Sequence, residues 1–465
     1  MTYQEALTLL EQCRRPFPTD SPATPSLSPS VPRAPNASTL RGNQPLLGMS
    51  SWLLTLGYEP EHINRLNVIH VAGTKGKGST CAYVDCFLRR HAVRNGIKRK
   101  IGLYTSPSLW PRNRIRIDSN PLPEDIFAKR FFEVYKGLSL DSKMLPPGTK
   151  PPGFLQMLAI VSFHTFIKEG VDVVICEAHH GGQFDATNFV ERPAITAITK
   201  IGMDHVENLG KSLQHIAWHK SGIFRDQVLA LSVPQDQEAE DEIQRRAAEI
   251  GAPLQFISIK EALLRFLEDD QIKKIPLEQR ENCALAAQIA HVFLDQSLDG
   301  RDILAGVGDC QWPARFDIRH YGGCTWYMDG AHNETSMQVV AKWYERVAGP
   351  SSVPVLIFAH FSKKRTRSWE KILETLVESL GSHIQHVILV ERIEYDEHFA
   401  TPGELLENFG HFWRENWSPV TIHNETSVKD AIERAERIAV GGPILVTGSL
   451  YLVEAALEIV NNEPS

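Results

Sequence analysis

Val68-Ile69-His70-Val71-Ala72-Gly73-Thr74-Lys75-Gly76-Lys77-Gly78-Ser79-Thr80 runs from an apolar stretch, through three glycines, into a segment whose apolar residues recur at helical spacing. The pattern predicts a buried strand over 66–72, a glycine-rich turn and a helix over 80–90. In that setting the glycines let backbone N–H groups close on phosphate oxygens, and the helix N-terminus adds partial positive charge. Lys77 can then reach the terminal phosphates of a nucleotide, and Ser79 or Thr80 can face Mg²⁺. The spacing departs from the general phosphate-loop pattern: two residues separate Gly73 from Gly76, where that pattern has four between its glycines. The bland alternative is a glycine-rich turn that merely joins a strand to a helix.

Working outward, the strand and helix alternation continues. Strands are expected over 101–104, 171–176, 194–199, 228–232 and 254–257, with helices over 154–169, 213–222 and 238–250. Such alternation is the signature of a parallel sheet with helices on its faces. A second alternation begins near Thr325, with strands over 325–328, 353–358, 386–390, 420–422 and 444–447 and helices over 369–380 and 428–440. The expected fold class is therefore α/β: a doubly wound phosphate-loop domain over 66–303, then a smaller Rossmann-like domain over 304–465, joined in the Asp- and Gly-rich stretch 298–308. Residues 1–65 hold a short helix over 3–13 and a stretch over 16–35 dense in Pro, Ser and Thr, which cannot bury enough apolar surface to offset its ordering entropy. That stretch is expected to be a flexible loop.

Length and composition agree with this division. A chain of 465 residues exceeds the roughly 250–300 over which one core usually grows. A formal net charge of −7 gives no footprint for wrapping a nucleic-acid backbone. The seven cysteines lack CxxC spacing and mostly sit in apolar runs, which points to a reducing compartment without a disulfide framework or zinc site. No apolar run approaches the length of about 20 residues that a membrane span needs, and the start lacks a targeting pattern. A cytosolic protein without membrane or nucleic-acid partners is expected, with a mitochondrial form from another start codon left open.

Several side chains fall at strand ends, where open α/β sheets bind ligands. Val173-Val174-Ile175-Cys176 ends in Glu177, an oxygen ligand suited to a hard cation on nucleotide phosphates. His179 and His180 follow at once, and adjacent residues rarely converge on one ion, so they read as loop residues. His205, after the next strand, can ligate a metal or pair with a carboxylate; alone it reads more often as a satisfied structural histidine. Lys220, fifteen residues on, reads by itself as part of a solvated helix face.

Seven segments in order resemble the folylpolyglutamate synthase and dihydrofolate synthase branch of the Mur ligase family, most of all its fungal members. They are the phosphate-loop stretch; Gly102-Leu103-Tyr104-Thr105-Ser106-Pro107; Gly181-Gly182-Gln183-Phe184-Asp185-Ala186-Thr187-Asn188; Met203-Asp204-His205 with Ile216-Ala217-Trp218-His219-Lys220-Ser221-Gly222-Ile223; Trp312-Pro313-Ala314-Arg315; Asp329-Gly330-Ala331-His332; and Val446-Thr447-Gly448-Ser449-Leu450. The resemblance implies an ATPase domain and a smaller C-terminal domain that closes over the nucleotide. It implies that Gly73 to Thr80, with Lys77 and Ser79 foremost, hold ATP phosphates, and that Ser106, Glu177 and His205 match Mg²⁺ ligands. Lys220 matches a lysine that is often carbamylated and helps to hold a second cation, monovalent or divalent. Asn282, Arg315, Asp329 and His332 match residues around ATP and the interdomain hinge, and Asp185, Thr187 and Asn188 fall in a segment lining the cleft. Lys77, Lys220, His205 and Arg315 are then the candidate catalytic residues.

The implied activity is ATP-dependent ligation. A carboxylate becomes an acyl phosphate, an amino acid attacks it, and amide, ADP and phosphate leave, with L-glutamate added to a folate and a monomeric enzyme as the family pattern. Departures fall on the acceptor side. Ser108 stands where the family usually has His, Asn113 where it has Glu, and Glu278 where His is common; Phe361-Ser362-Lys363-Lys364-Arg365 is unlike the usual loop. Two further readings therefore stay open: a divergent ligase joining an amino acid to a non-folate acid in secondary metabolism, and a nucleotide-binding scaffold without turnover.

Overall fold

The computed structural model describes residues 1–14, 46, 48–106, 108–140, 151–310, 312–349, 352–360, 369–380, 384–393, 403–416 and 420–462. The expected loop over 16–35 and the basic cluster over 361–365 lie outside the described residues. The chain forms two compact units, Met1–Cys310 and Gln311–Ser465.

In the first unit, among the described residues, eight strands form one sheet: β1 Ile69–Ala72, β2 Ile101–Tyr104, β3 Ile115–Ile117, β4 Asn120–Pro121, β5 Val173–Glu177, β6 Ile195–Ile198, β7 Ala230–Ser232 and β8 Leu254–Phe256. Their order is β4-β3-β2-β5-β1-β6-β7-β8. From β2 to β8 every neighbour is parallel, whereas β3 and β4 turn back antiparallel at one edge. β1 lies between β5 and β6, so the chain leaves it at a point flanked by the C-terminal ends of both neighbours. All four residues of β1 are buried, as a strand covered on both faces requires.

The helix after β1 spans Lys77–Arg94 and starts three residues earlier than its apolar spacing suggests. Gly76, at φ 85°, is its N-cap in the left-handed conformation, so Lys77 to Thr80 form the first turn. The described residues within 1–65 are not a separate body. The helix Tyr3–Gln12 buries Ala6 and Leu10 in the same core as the helices Glu124–Gly137 and Phe154–Lys168. The join expected at 303/304 also moves. Asp299 caps a helix Gly300–Asp309, which packs on Lys77–Arg94, so the first unit ends only after Cys310. An Asp-Gly pair here starts a helix rather than a linker.

The second unit carries a six-stranded sheet among the described residues: β9 Asp317–Tyr321, β10 Cys324–Met328, β11 Val355–Phe358, β12 His386–Val390, β13 Thr421–Glu425 and β14 Pro443–Thr447. Its order is β13-β12-β11-β14-β10-β9, parallel except for the β9–β10 hairpin. Trp343, Phe409, Trp413 and Leu445 lie in its core. No helix among the described residues is long and apolar enough to cross a membrane.

Candidate functional site

The turn after β1 is held from below by β6 and the chain beyond it. The N–H groups of Thr74 and Lys75 donate to the carbonyl of Lys200, and the Thr74 hydroxyl donates to the carbonyl of Gly202. Gly73 and Gly76 are glycines for want of space: a Cβ on Gly73 would sit 1.9 Å from Thr199 Oγ1, and one on Gly76 2.0 Å from Asn282 Oδ1. Asn282, on the helix Arg280–Phe293, is thereby packed against the loop, its amide donating to Gln279 Oε1 at 2.9 Å.

Lys77 Nζ lies 3.8 Å from Glu177 Oε1 at the end of β5 and 3.5 Å from the carbonyl of Thr74. The other Glu177 oxygen accepts the Ser106 N–H at 3.1 Å. The Ser106 hydroxyl accepts from Arg114 Nη1 at 3.5 Å. Ser79 and Thr80 are buried in the first helical turn, and among the described residues the Thr80 hydroxyl has no hydrogen-bond partner, the kind of orphan that a bound polar group would satisfy.

Lys220 is no solvated helix residue. It is 2% exposed and donates to the carbonyls of Gly73 at 2.6 Å and His180 at 3.3 Å. Burial, with Lys77 nearby, pushes its ammonium down to about 7, against Asp204, Asp185 and Glu177. Burial likewise takes Lys75 down to about 8. His205 sits in the left-handed region at φ 50°, its N–H donating to Asp204 Oδ1 and its ring 4.5 Å from that of His180. Thus Lys77, Glu177, Ser106, Lys220 and Asn282 converge on the loop, while His205 packs on His180. Among the described residues no group of three or more His, Cys, Asp or Glu is placed to hold a metal ion. The carboxylate of Glu177 and the hydroxyls of Ser106 and Thr80 are hard oxygens of the type Mg²⁺ accepts.

Asp185, Thr187 and Asn188 turn out to be a knot. Asp185 accepts the N–H groups of His180 and Gly181 on one oxygen and the N–H and hydroxyl of Thr187 on the other. His179 lies 3.3 Å from it and bonds the Tyr104 hydroxyl at 2.7 Å, while His70 meets the Thr187 hydroxyl at 2.9 Å. The Asn188 amide donates to the carbonyls of Gln183 and Gly222 and its oxygen accepts from Arg225. Sequence reasoning missed Tyr104, His70 and Arg225 and left His179 a loop residue. The Asp185-x-Thr187 spacing, which suits a side chain capping the backbone two residues on, was the available signal.

Burial alone would raise the Asp185 carboxyl, but His179 and the Thr187 donors outweigh it and hold it well below the usual range. Asp185→Ala should cost about 3–5 kcal/mol of stability at neutral pH. The group binds fewer protons folded than unfolded, so its stabilisation is present above about pH 4 and is lost as pH falls further. Urea midpoints of both proteins at pH 7 and near pH 3 check this: the gap must narrow at the lower pH.

In the second unit, Asp329 at the end of β10 accepts the Phe316 N–H at 3.0 Å. Arg315 Nη1 donates to the carbonyl of Ala314 and would meet a Cβ on Gly330 at 2.7 Å. His332 Nδ1 lies 3.1 Å from the Gly330 carbonyl. Burial raises Asp329 to about 6, against Arg315 and the N–H groups of Phe316 and Ala331. The folded state therefore takes up a proton between about pH 4 and 6, and this group's contribution to stability falls as pH rises through that window. Asp329→Asn should accordingly gain on the natural protein in melting temperature between pH 5 and pH 8; a constant difference would refute the shift.

The model of the Mur ligase middle domain matches residues 157–291, and that of the Mur ligase glutamate ligase domain matches residues 314–450. The folylpolyglutamate synthase of Neurospora crassa is 32% identical over 99% of this chain and 91% of its own length. That of Candida albicans is 32% identical over 99% and 96%. The solved structure of Mycobacterium tuberculosis folylpolyglutamate synthase complexed with ADP shares the fold, with a TM-score of 0.75 at 20% identity over 100% of this chain and 99% of that one. Two Mur ligase domains in order, with near full-length relatives above 30% identity, place the chain in the folylpolyglutamate synthase family of Mur ligases.

Proposed function

We propose that the chain is a folylpolyglutamate synthase, joining L-glutamate to the γ-carboxylate of a folate at the expense of ATP. The observation that carries this reading is the convergence of Lys77, Glu177 and Lys220 on the turn at Gly73, within a family whose named members are such synthases. A carboxylate is a poor electrophile until its oxygen becomes a phosphate leaving group. Lys77 and the loop N–H groups spread the charge of the transferring phosphoryl group, and Asn282 braces the loop from the helix behind it. Mg²⁺, held by Glu177 with the hydroxyls of Ser106 and Thr80, and with His205 if its ring leaves His180, would supply further charge neutralisation there.

Lys220, with its ammonium near pH 7, keeps a sizeable neutral amine fraction at neutral pH, the form that adds CO₂ to give a carbamate. Such an anion beside Gly73 would suit a second cation. Asp185, Thr187 and Asn188 act as supports of the cleft-lining segment, since their polar atoms are taken up within it. Arg315, Asp329 and His332 are the nucleotide-binding candidates of the second unit. The seven free cysteines fit a cytosolic protein, and we take it to act as a monomer.

A second reading, a ligase for a non-folate acid, is favoured by Ser108 and Asn113 in the acceptor loop. Purified protein with ATP and Mg²⁺, given tetrahydrofolate and glutamate or a panel of other acids, separates the two. Folate-dependent ADP release supports the first; release only with another acid overturns it.

A further inference from the structure

The helices Lys77–Arg94 and Gly300–Asp309 pack antiparallel, and their contacts form a ladder with a fixed register. Arg94 pairs with Asp302 through two bonds of 2.7 and 2.8 Å, and Arg90 pairs with Asp309. Between these rungs the backbones approach closely: a Cβ on Gly306 would meet Phe87 Cδ1 at 2.5 Å and the carbonyl carbon of Cys86 at 3.4 Å. Cys310 follows Gly306 by one turn, its N–H donating to the Gly306 carbonyl at 2.9 Å. The same register brings Cys310 to Cys86, and that neighbour together with burial pushes the Cys310 thiol up, with Tyr83 and Cys283 nearby.

Nothing in the proposed ligation uses these thiols. Cys86 is 5% exposed, and Arg89 Nη2 donates to its sulfur at 3.4 Å. Cys310 is partly exposed and so open to a small reagent. We propose that Cys86 and Cys310 are a redox modification site, oxidised to a reversible intramolecular disulfide that ties the end of the first unit to the helix of the phosphate loop. The Arg94–Asp302 and Arg90–Asp309 pairs fix the register of the two helices, so the bond would form between preset partners.

The chemistry is thiol–disulfide exchange with a small-molecule disulfide. Cys310, the more exposed of the pair, holds its proton firmly beside Cys86 and so reacts slowly; on losing that proton its sulfur attacks one sulfur of the reagent and expels one thiolate. The Cys86 thiolate then attacks the Cys310 sulfur of the mixed disulfide and expels the second. Two protein S–H bonds are lost, one S–S bond forms, and the reagent takes up two electrons and two protons as two thiols. Because Cys310 is the last residue of the first unit, the crosslink fixes the point at which the chain leaves it. In a reducing compartment such a bond is transient and signals redox state rather than building the fold.

The test equilibrates the full chain at mildly alkaline pH with glutathione disulfide and glutathione at a series of ratios, then alkylates free thiols and maps peptides without reduction. Expected are a fall from seven free thiols to five, a Cys86–Cys310 linked peptide, and full reversal by dithiothreitol. Cys310→Ser should leave Cys86 free throughout; should Cys86→Ser fail to fold, Cys310→Ser alone decides. Seven free thiols at every ratio, a Cys310 mixed disulfide that never resolves, or pairing of either thiol with Cys283 would each overturn the site. The readout needs no substrate, so it stands apart from any failure of the ligase reading.

Discussion

Lys77→Ala is expected to lower ATP-dependent ligation about a thousandfold while leaving the chain folded. Its side chain is 13% exposed, and its ammonium stands between the Thr74 carbonyl and Glu177, the place from which it can follow charge onto a phosphoryl group. Lys75 is a poor substitute: its backbone is tied to Lys200, and its ammonium is pushed down to about 8, so it holds its proton less firmly. Lys220 cannot replace it either, since its amine is engaged by the Gly73 and His180 carbonyls. The cost in stability should be smaller, about 1–3 kcal/mol, because the ion pair is loose at 3.8 Å and Glu177 keeps the Ser106 N–H. ADP release at saturating folate and glutamate, beside calorimetry of both proteins, separates the two effects. A variant within tenfold of the natural rate would remove Lys77 from the chemistry.

The central strands were readable because each is a short, largely apolar run, as β5 runs Val173-Val174-Ile175-Cys176 before ending in Glu177. The antiparallel edges were not. β3 and β4 are three and two residues long and carry Arg116 and Asn120, so no alternation stands out over so short a span. The phosphate loop announced itself through Gly73, Gly76 and Lys77, yet the contact of Asn282 with Gly76 joins residues about two hundred apart and came only through family likeness. Lys220 shows the same limit: helical spacing cannot reveal that its amine reaches a carbonyl 147 residues away. Asp185 was legible as part of a motif but not as a hub, because His179, which meets it directly, Tyr104, which bonds His179, and His70, which bonds Thr187, come from three different strands or the turns after them.

Gly73→Ala should remove both nucleotide binding and roughly 3 kcal/mol or more of stability. Gly73 is the first residue beyond β1, where β1 and β6 still run side by side: the Thr199 N–H donates to the Ala72 carbonyl at 2.9 Å. A Cβ at position 73 would press to 1.9 Å of Thr199 Oγ1, 2.9 Å of its Cβ and 3.0 Å of its nitrogen, so rotating the hydroxyl away relieves only part of the clash. The backbone itself is at φ 146°, a region that side chains rarely adopt. Any retreat of the turn also draws the Gly73 carbonyl from Lys220, whose buried amine then loses its shorter bond. Gly170→Ala is the control, with φ 64° and open space around the new methyl, and should cost only about 1 kcal/mol. Thr199→Ala combined with Gly73→Ala should recover a measurable part of the loss, because the two substitutions share one contact. Urea midpoints for the four proteins decide the matter. If Gly73→Ala unfolds no earlier than Gly170→Ala, the loop is free to move away from β6, and the tight seat assigned to it above is wrong.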